Sequence, residues 1–442
     1  MIKFFNTLGH KKQDFTPLKD KTISMYVCGP TVYDYDHLGH ARTFIIFDCL
    51  RRFLNIKGYQ VKLVQNITDV GHLTDDADQG EDKIEKKAKQ EKINPFKIAK
   101  KFEAEHFKDM EALNVLKPDI SARATEHIKD IIGFIQELIK KKHAYVVSGN
   151  VYFDVSSFSE YGKLSGRKVE DLLEAVRIGK DPLKKNPADF ALWKKAGKTH
   201  LMQWDSPWGR GFPGWHIECS SLAQKYLGDT IDIHSGSNDL IFPHHEDEIT
   251  QSESLTGKPF VKYWLHSGLV TINGQKMAKS SGNFVTIKDI LKKYDADTIR
   301  IAFLRTHWRK PYDWEEMSFK EAKIMARRLE RARGEAQNIK TGYKTAMAEA
   351  LSDDFNTPKA IGIIFEDLNK LSRDDFDYIE KVFGLKMKVT VELTSEQKKM
   401  LKRRENAREK GDFKQADEIR NKLAKEGIIV EDTTEGTRVL TF

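Results

Sequence analysis

Three sets of residues in this 442-residue chain combine side chains and spacings that can do chemistry. The first is His37-Leu38-Gly39-His40. Histidines three apart share a helical face. A helix start turns unpaired N–H groups and the positive end of its dipole toward an anion. Gly39 removes a side chain from the approach, and the set suits a nucleoside triphosphate. Taken alone, a pair of satisfied or solvent-facing histidines is the plainer reading. The second set is Lys276-Met277-Ala278-Lys279-Ser280-Ser281-Gly282-Asn283, after an expected turn at Asn273-Gly274. Two lysines in a Gly/Ser-flanked loop can fold over phosphates and stabilise a leaving pyrophosphate. Preorganised groups of that kind are worth roughly 3–4 kcal/mol each. A solvated basic loop is the plainer reading. The third set holds Cys28, Cys219, His244 and Glu248. His244 and Glu248 are four apart, on one helical face, and Cys219 precedes His244 by 25 residues. Thiolate, imidazole and carboxylate are all zinc-ligand types. No two cysteines are close, so spacing alone favours inert core cysteines.

These residues need elements to position them. Thr22–Val27 is a short β-prone run that stops at Cys28-Gly29-Pro30. A helical pattern over 38–55 follows, with Phe44, Phe47, Leu50 and Leu54 on its apolar face and Gly58 at its end. Val61–Ile67 reads as a second strand. Strand, helix, strand predicts a parallel sheet, whose ligands sit at the carboxyl ends of its strands. Residues 83–116 read as helical with a break at Asn94-Pro95, and 120–190 as an insertion with a helix near 126–142 and two short strands. Residues 193–249 are rich in Gly, Trp and His, with helix signals only over 217–227 and after His244. From Met317 the chain reads as helices, closing on a small strand pair.

Composition sets the outer limits. Lys+Arg number 74 against 66 Asp+Glu, a net charge of +8, with a pI near 9.0. That excess permits a nucleic-acid partner without requiring one. Three scattered cysteines exclude a disulfide-stapled secreted scaffold. No apolar run approaches the roughly 20 residues of a membrane helix, and the first residues lack a signal-peptide core. The expectation is a cytoplasmic protein of about two to four domains.

Together, HLGH after the first strand and KMAKS late in the chain resemble the paired signatures of class I aminoacyl-tRNA synthetases. MYVCGPTVYDYDHLGHART, SPWGRGFPGWHIECS, DLIFPHHEDE and KMAKSSGNF, in that order, resemble the cysteinyl-tRNA synthetase family. DDFNTPKAI and the tail from AREKGDFKQADEIR to EGTR extend the likeness over nearly the whole chain. The resemblance implies an α/β fold: a Rossmann-like parallel sheet with an inserted domain, then a mostly helical anticodon-binding region and a small C-terminal α/β piece. Residues 1–118 and 201–260 would be the catalytic halves, around an inserted connective domain at 119–200. Residues 261–315 would hold the lysine loop and stem-contact region, 316–390 the anticodon-binding domain and 391–442 a tRNA-binding extension. The implied reaction joins cysteine to tRNA(Cys) through cysteinyl-adenylate, with ATP and Mg2+ as substrate, in a monomer.

The resemblance also implies roles. One zinc ion would be held by Cys28, Cys219, His244 and Glu248 and would bind the substrate thiolate. Cysteine and serine differ by one atom, and binding energy alone separates such pairs poorly; a soft metal separates them by ligand preference. Catalysis would fall to His37, His40, Lys276 and Lys279. ATP would also meet Pro30, Thr31, Gly39, Met277 and Ser280. Cysteine would meet Gly29, Thr68, Trp215, His234 and Asp239, with Asp69 beside Thr68 at the substrate amine. Departures from the family pattern are Ser235 and Ser237 for glycines, Phe212 for Arg and Val439 for Trp. About ten extra residues follow Asp69; His72, Asp75 and Asp76 there are expected on a surface loop or at the pocket mouth. Residues 396–428 carry eleven Lys/Arg against seven Asp/Glu, a charge placed where phosphate contacts are wanted. Two rivals remain: a ligase of the same fold that transfers cysteine to an amino sugar, and a catalytically silent zinc-dependent RNA-binding protein.

Overall fold

Ile23, Met25 and Val27 alternate with Ser24, Tyr26 and Cys28, so a strand here has one aliphatic face and one that carries the thiol. The computed structural model describes residues 1–74, 80–167, 181–277, 284–387, 393–426, 428–433 and 436–441. It forms that strand over Thr22–Val27 (β1). Gln60–Ile67 (β2), Ile120–Arg123 (β3), Ile231–Ser237 (β4) and Val261–Ser267 (β5) complete a sheet. Every neighbouring pair is parallel, in the order β3-β2-β1-β4-β5. The strand order reverses between β1 and β4. In open α/β sheets the ligand crevice opens at that switch point, beyond the strands' carboxyl ends.

Helices Leu38–Ile56 (α1), Trp215–Leu227 (α2) and Glu246–Thr256 (α3) frame the crevice. The aliphatic face of β1 packs on Phe44, Phe47 and Leu50 of α1. Tyr26 and Cys28 face the other way, onto Cys219, Leu222 and Ala223 of α2. Strand alternation on one side and the i, i+3, i+4 face of a helix on the other thus bring two distant thiols together.

The insertion is an antiparallel sheet of Ala144–Val147, Asn150–Phe153, Phe190–Lys195 and Gly211–Pro213, packed on the helix Ile128–Lys140. Beyond β5 come four longer helices, Glu316–Glu335, Tyr343–Ser352, Thr357–Glu366 and Arg373–Phe383. They share one hydrophobic core with α1. Buried Arg300 joins these parts: its Nε donates to Phe383 O at 2.6 Å, and its guanidinium donates to Asp48 Oδ2 of α1 at 2.5 Å and to Leu113 O at 3.0 Å. The tail folds Ser395–Glu409, Phe413–Lys425 and the hairpin Ile428–Thr433/Gly436–Thr441 around Leu401, Leu423, Ile428 and Val430. Val439 pairs with Val430 and packs into that cluster.

Strands β4 and β5 were not expected. Ile231–Ser237 reads IDIHSGS, with only two β-branched residues before a polar run. The run is a strand because its polar groups are paired: Cys28 N donates to Ser235 O at 3.0 Å, and Ser235 Oγ donates to Tyr26 O at 3.3 Å. Ser235 and Ser237 sit in regular strand registered on β5.

Candidate active site

His37 is the N-cap of α1, and its Nδ1 accepts the Gly39 N–H at 3.0 Å. The His37 and His40 rings stack with centroids 4.0 Å apart. A Cβ on Gly39 would lie 2.7 Å from His37 Cε1. Gly39 therefore makes room for the His37 ring, and it also lines the cleft. His40 is oriented by a residue that sequence reasoning missed. The buried Asp36 carboxylate accepts from His40 Nδ1 at 2.9 Å and from His106 Nδ1 at 2.5 Å. Burial disfavours its charge, but His106 and His40 outweigh burial and hold Asp36 well below the usual carboxylate range.

The strand exit, the histidine turn and the late loop meet. Leu38 N donates to Val285 O at 3.2 Å and Ile287 N to Asp36 O at 2.9 Å. Phe284 stands edge-on to His37 at 5.3 Å. Met277 is buried, and with His37, Gly39 and His40 it lines one cleft. Lys276 ends the two-residue strand Gln275–Lys276, paired with Thr271. Its side chain lies outside the described residues, as do Lys279 and Ser280.

Cys28, Cys219, His244 and Glu248 are all buried, with ligand atoms within 4.8 Å of one another. The sulfurs are 4.0 Å apart, Cys28 Sγ is 3.7 Å from Glu248 Oε1, and His244 Nε2 is 3.1 Å from the same oxygen. Thiolates bound at ~2.3 Å to a tetrahedral zinc lie about 3.8 Å apart, so the donor set fits zinc. The neighbours also set the right tautomer. His216 Nε2 is 3.4 Å from Asp247 Oδ2, and its Nδ1 is 2.8 Å from His244 Nδ1. A proton from His216 Nε2 to Asp247 makes His216 Nδ1 an acceptor, His244 Nδ1 the donor and His244 Nε2 a bare ligand atom. Burial pushes the Cys28 thiol up. Burial acts upward on Cys219 too, but the Cys28 hydrogen bond and His244 hold it down at about 6. Burial opposes a charge on His244, yet Cys219 and Glu248 lift it to about 10, so a metal taken up at Nε2 would displace a proton there. Two thiols, an imidazole and a carboxylate buried together are a set that a cation satisfies.

A second buried group shares two of these residues: Cys28, His234, His245 and Glu248. His234 Nε2 lies 2.8 Å from Glu248 Oε2, and His245 Nδ1 lies 2.7 Å from His266 Nε2, whose ring continues to Thr7 at 2.7 Å. His234 is fully buried and stacks on Trp264. It stands behind Glu248 and orients it rather than forming the cleft wall.

Cys28, Gly29, Pro30, Thr31, Trp215 and Asp239 line the same cleft as the histidine turn. A Cβ on Gly29 would meet Asn66 O at 1.8 Å, and Gly29 N donates to Asn66 Oδ1 at 2.7 Å. Thr68 is buried: it donates to Glu218 Oε2 and accepts from Asn66 Nδ2, each at 2.9 Å. Asp69 turns away from the cleft and accepts from Thr125 N at 2.9 Å and Thr125 Oγ1 at 2.5 Å. Asp239 is exposed and takes a hydrogen bond from Ser237. Phe212 is buried on the His200 ring at 4.3 Å. Asp75 and Asp76 lie outside the described residues. His72, expected in a surface loop or at the mouth, is buried in the cleft wall and stacks on Trp215 at 3.9 Å.

The likenesses to known proteins agree with this geometry. The family described as tRNA synthetases class I (C) catalytic domain matches residues 14–324. A DALR domain matches 346–381, and a cysteinyl-tRNA ligase anticodon binding domain matches 390–439. The cysteine–tRNA ligase of Chlorobaculum tepidum is 43% identical, covering 98% of each chain. That of Deinococcus radiodurans is 44% identical over 99% of this chain and 96% of its own. Similar folds include Mycobacterium tuberculosis methionyl-tRNA synthetase with methionyl-adenylate (TM-score 0.55, 13% identity, 87% of this chain and 84% of that one). Another is an Agrobacterium radiobacter LeuRS in a ternary complex with tRNA (TM-score 0.58, 11% identity, 84% of each chain). From the switch-point crevice to the anticodon-binding tail, this chain belongs to the cysteine–tRNA ligase family of class I aminoacyl-tRNA synthetases.

Proposed function

We propose that this ligase selects its amino acid with zinc held by Cys28, Cys219, His244 and Glu248, and activates it in the crevice between β1 and β4. The observation that carries the reading is that Cys28, a member of that buried donor set, and the His37/His40 turn line one cleft. Bound zinc supplies a soft Lewis acid that prefers the cysteine sulfur over a serine hydroxyl. The chain's own residues do the rest. His37 and His40 meet the ATP phosphates, His40 held by Asp36. Lys276 and Lys279 neutralise the departing pyrophosphate, with Mg2+ carried in on ATP. Trp215 walls the amino-acid side. The cysteine carboxylate attacks the α-phosphate, expelling pyrophosphate. The terminal ribose hydroxyl of tRNA(Cys) then attacks the acyl carbon and expels AMP.

Cysteine-dependent ATP–pyrophosphate exchange together with metal analysis tests this. Lys279→Ala is expected to slow exchange about 100- to 1000-fold, the usual effect of losing one preorganised charge-stabilising group, with zinc content unchanged. Cys219→Ser is expected to lose both zinc and cysteine binding. Full zinc occupancy in Cys219→Ser, or unaltered exchange in Lys279→Ala, overturns the assignment.

A further inference from the structure

His72 belongs to the segment that departs from the family pattern, yet its ring forms part of the cleft wall. The backbone puts it there. Gly71 has φ +78°, and a Cβ at that position would lie 2.3 Å from Pro213 O. The segment's two ends close on each other: Gly71 N donates to Asp82 Oδ2 at 2.8 Å, Lys83 N to His72 O at 2.9 Å and Thr74 N to Glu81 O at 3.0 Å. The imidazole is held on three sides. It lies nearly parallel to Trp215, 12° off, at 3.9 Å. Trp215 also stacks on His244 at 4.2 Å, so the indole is sandwiched between His72 and a residue of the metal set. His72 Nε2 is 2.7 Å from Lys83 Nζ, and Nδ1 is 2.5 Å from Thr31 Oγ1.

The donor and acceptor roles follow. An ammonium has no lone pair, so Lys83 donates and Nε2 accepts. The neutral ring then carries its proton on Nδ1 and donates it to Thr31 Oγ1. The Thr31 hydroxyl proton is thereby left to be donated elsewhere. Thr31, His72 and Lys83 all line the cleft beside Cys28 and Trp215. The wall therefore combines a cation with a hydroxyl donor of set polarity, next to the proposed thiol site. In cysteine the sulfur and the carboxylate are joined through only two carbons, so a bound thiol brings its acid group to this wall.

We infer that Lys83 and Thr31 bind the carboxylate of the substrate amino acid, with His72 as the positioning residue that holds both. The inference rests on the proposed cysteine pocket. Lys83 is half-buried at the start of the helix Lys83–Glu91. The test measures binding of L-cysteine and of cysteamine, which lacks the carboxylate, to the zinc-loaded full chain by titration calorimetry. A hydrogen-bonded charge contact corresponds to about 10- to 100-fold in affinity. The wild type is expected to prefer L-cysteine over cysteamine by that factor. Lys83→Met is expected to abolish the preference by weakening cysteine alone, and Lys83→Arg to retain most of it. His72→Phe keeps a ring on Trp215 but loses both hydrogen bonds; it is expected to weaken cysteine about 3- to 10-fold and leave cysteamine unchanged. In pyrophosphate exchange, KM for cysteine rises and KM for ATP does not. Equal weakening of both thiols overturns the inference, as does a raised KM for ATP with cysteine unaffected, which would place a phosphate at Lys83. A wild type that binds cysteine and cysteamine equally also overturns it while leaving the pocket intact. A wild type that binds neither thiol removes the pocket assignment itself.

Discussion

Asp36 shows what one buried charge does for the active site. Its carboxylate is shared between His40 and His106, which come from α1 and from the helix Pro95–Ala112. Asp36→Asn keeps the shape and removes the charge. We expect kcat for pyrophosphate exchange to fall about 10- to 100-fold, the cost of a misplaced catalytic group, with KM for cysteine unchanged; steady-state exchange kinetics check this. Asp109 is the counterpart. Burial and the nearby Asp36 charge push its carboxyl up to about 7. A carboxyl whose folded pKa lies above its unfolded value of about 3.9 binds more protons in the folded state. It therefore adds stability below pH ~4 that is lost as pH rises through about 7. Asp109→Asn is expected to match the wild type near pH 4 and exceed it in urea midpoint at pH 8. The histidines of HLGH were legible because their type and spacing are local. Asp36 was not, since its role depends on His106, 70 residues away. His72 was left between a surface loop and the pocket mouth because the residues after Asp69 had no match to guide them, and a folded-back loop hides which of its side chains face inward.

At the scale of elements, the site depends on how closely β1 and β2 leave the sheet together. Thr68 N donates to Pro30 O and Val32 N to Thr68 O, each at 3.1 Å. Gly29 fits between them only without a side chain. Gly29→Ala is expected to destabilise by at least about 1–3 kcal/mol through overpacking, and to reduce zinc retention by moving Cys28. Thermal unfolding and metal analysis read the two effects. The first βαβ unit was visible because Thr22–Val27, the helix from Leu38 and the strand ending at Ile67 have clean apolar periodicity. The switch point was not, because β4 is polar where it borders the site: His234, Ser235 and Ser237 are there for pairing and chemistry, not for strand propensity.

Over the whole molecule, the amino-acid end and the tRNA end carry different physics. The donor set Cys28, Cys219, His244 and Glu248 is buried, whereas the tail exposes Lys398, Lys399, Lys402 and Arg403 on the helix Ser395–Glu409. Reversing Lys398, Lys399 and Lys402 to Glu is expected to weaken tRNA binding and to lower the slope of log affinity against log salt by about 0.7–0.9 per lost phosphate contact. Exchange without tRNA should not change. Filter binding across a salt series checks the first, and exchange kinetics the second. Charge density along a tail is readable from sequence; which bases it meets is not, because base readout needs edge and stacking geometry. No described helix is long and apolar enough to cross a membrane. The zinc proposed between the two thiols, His244 and Glu248 would take the substrate sulfur. Zinc-edge X-ray absorption on the zinc-loaded protein, with and without substrate, reads this out. The number of sulfur neighbours is expected to rise by one with L-cysteine and to stay fixed with L-serine. A sulfur count unchanged by cysteine would contradict it.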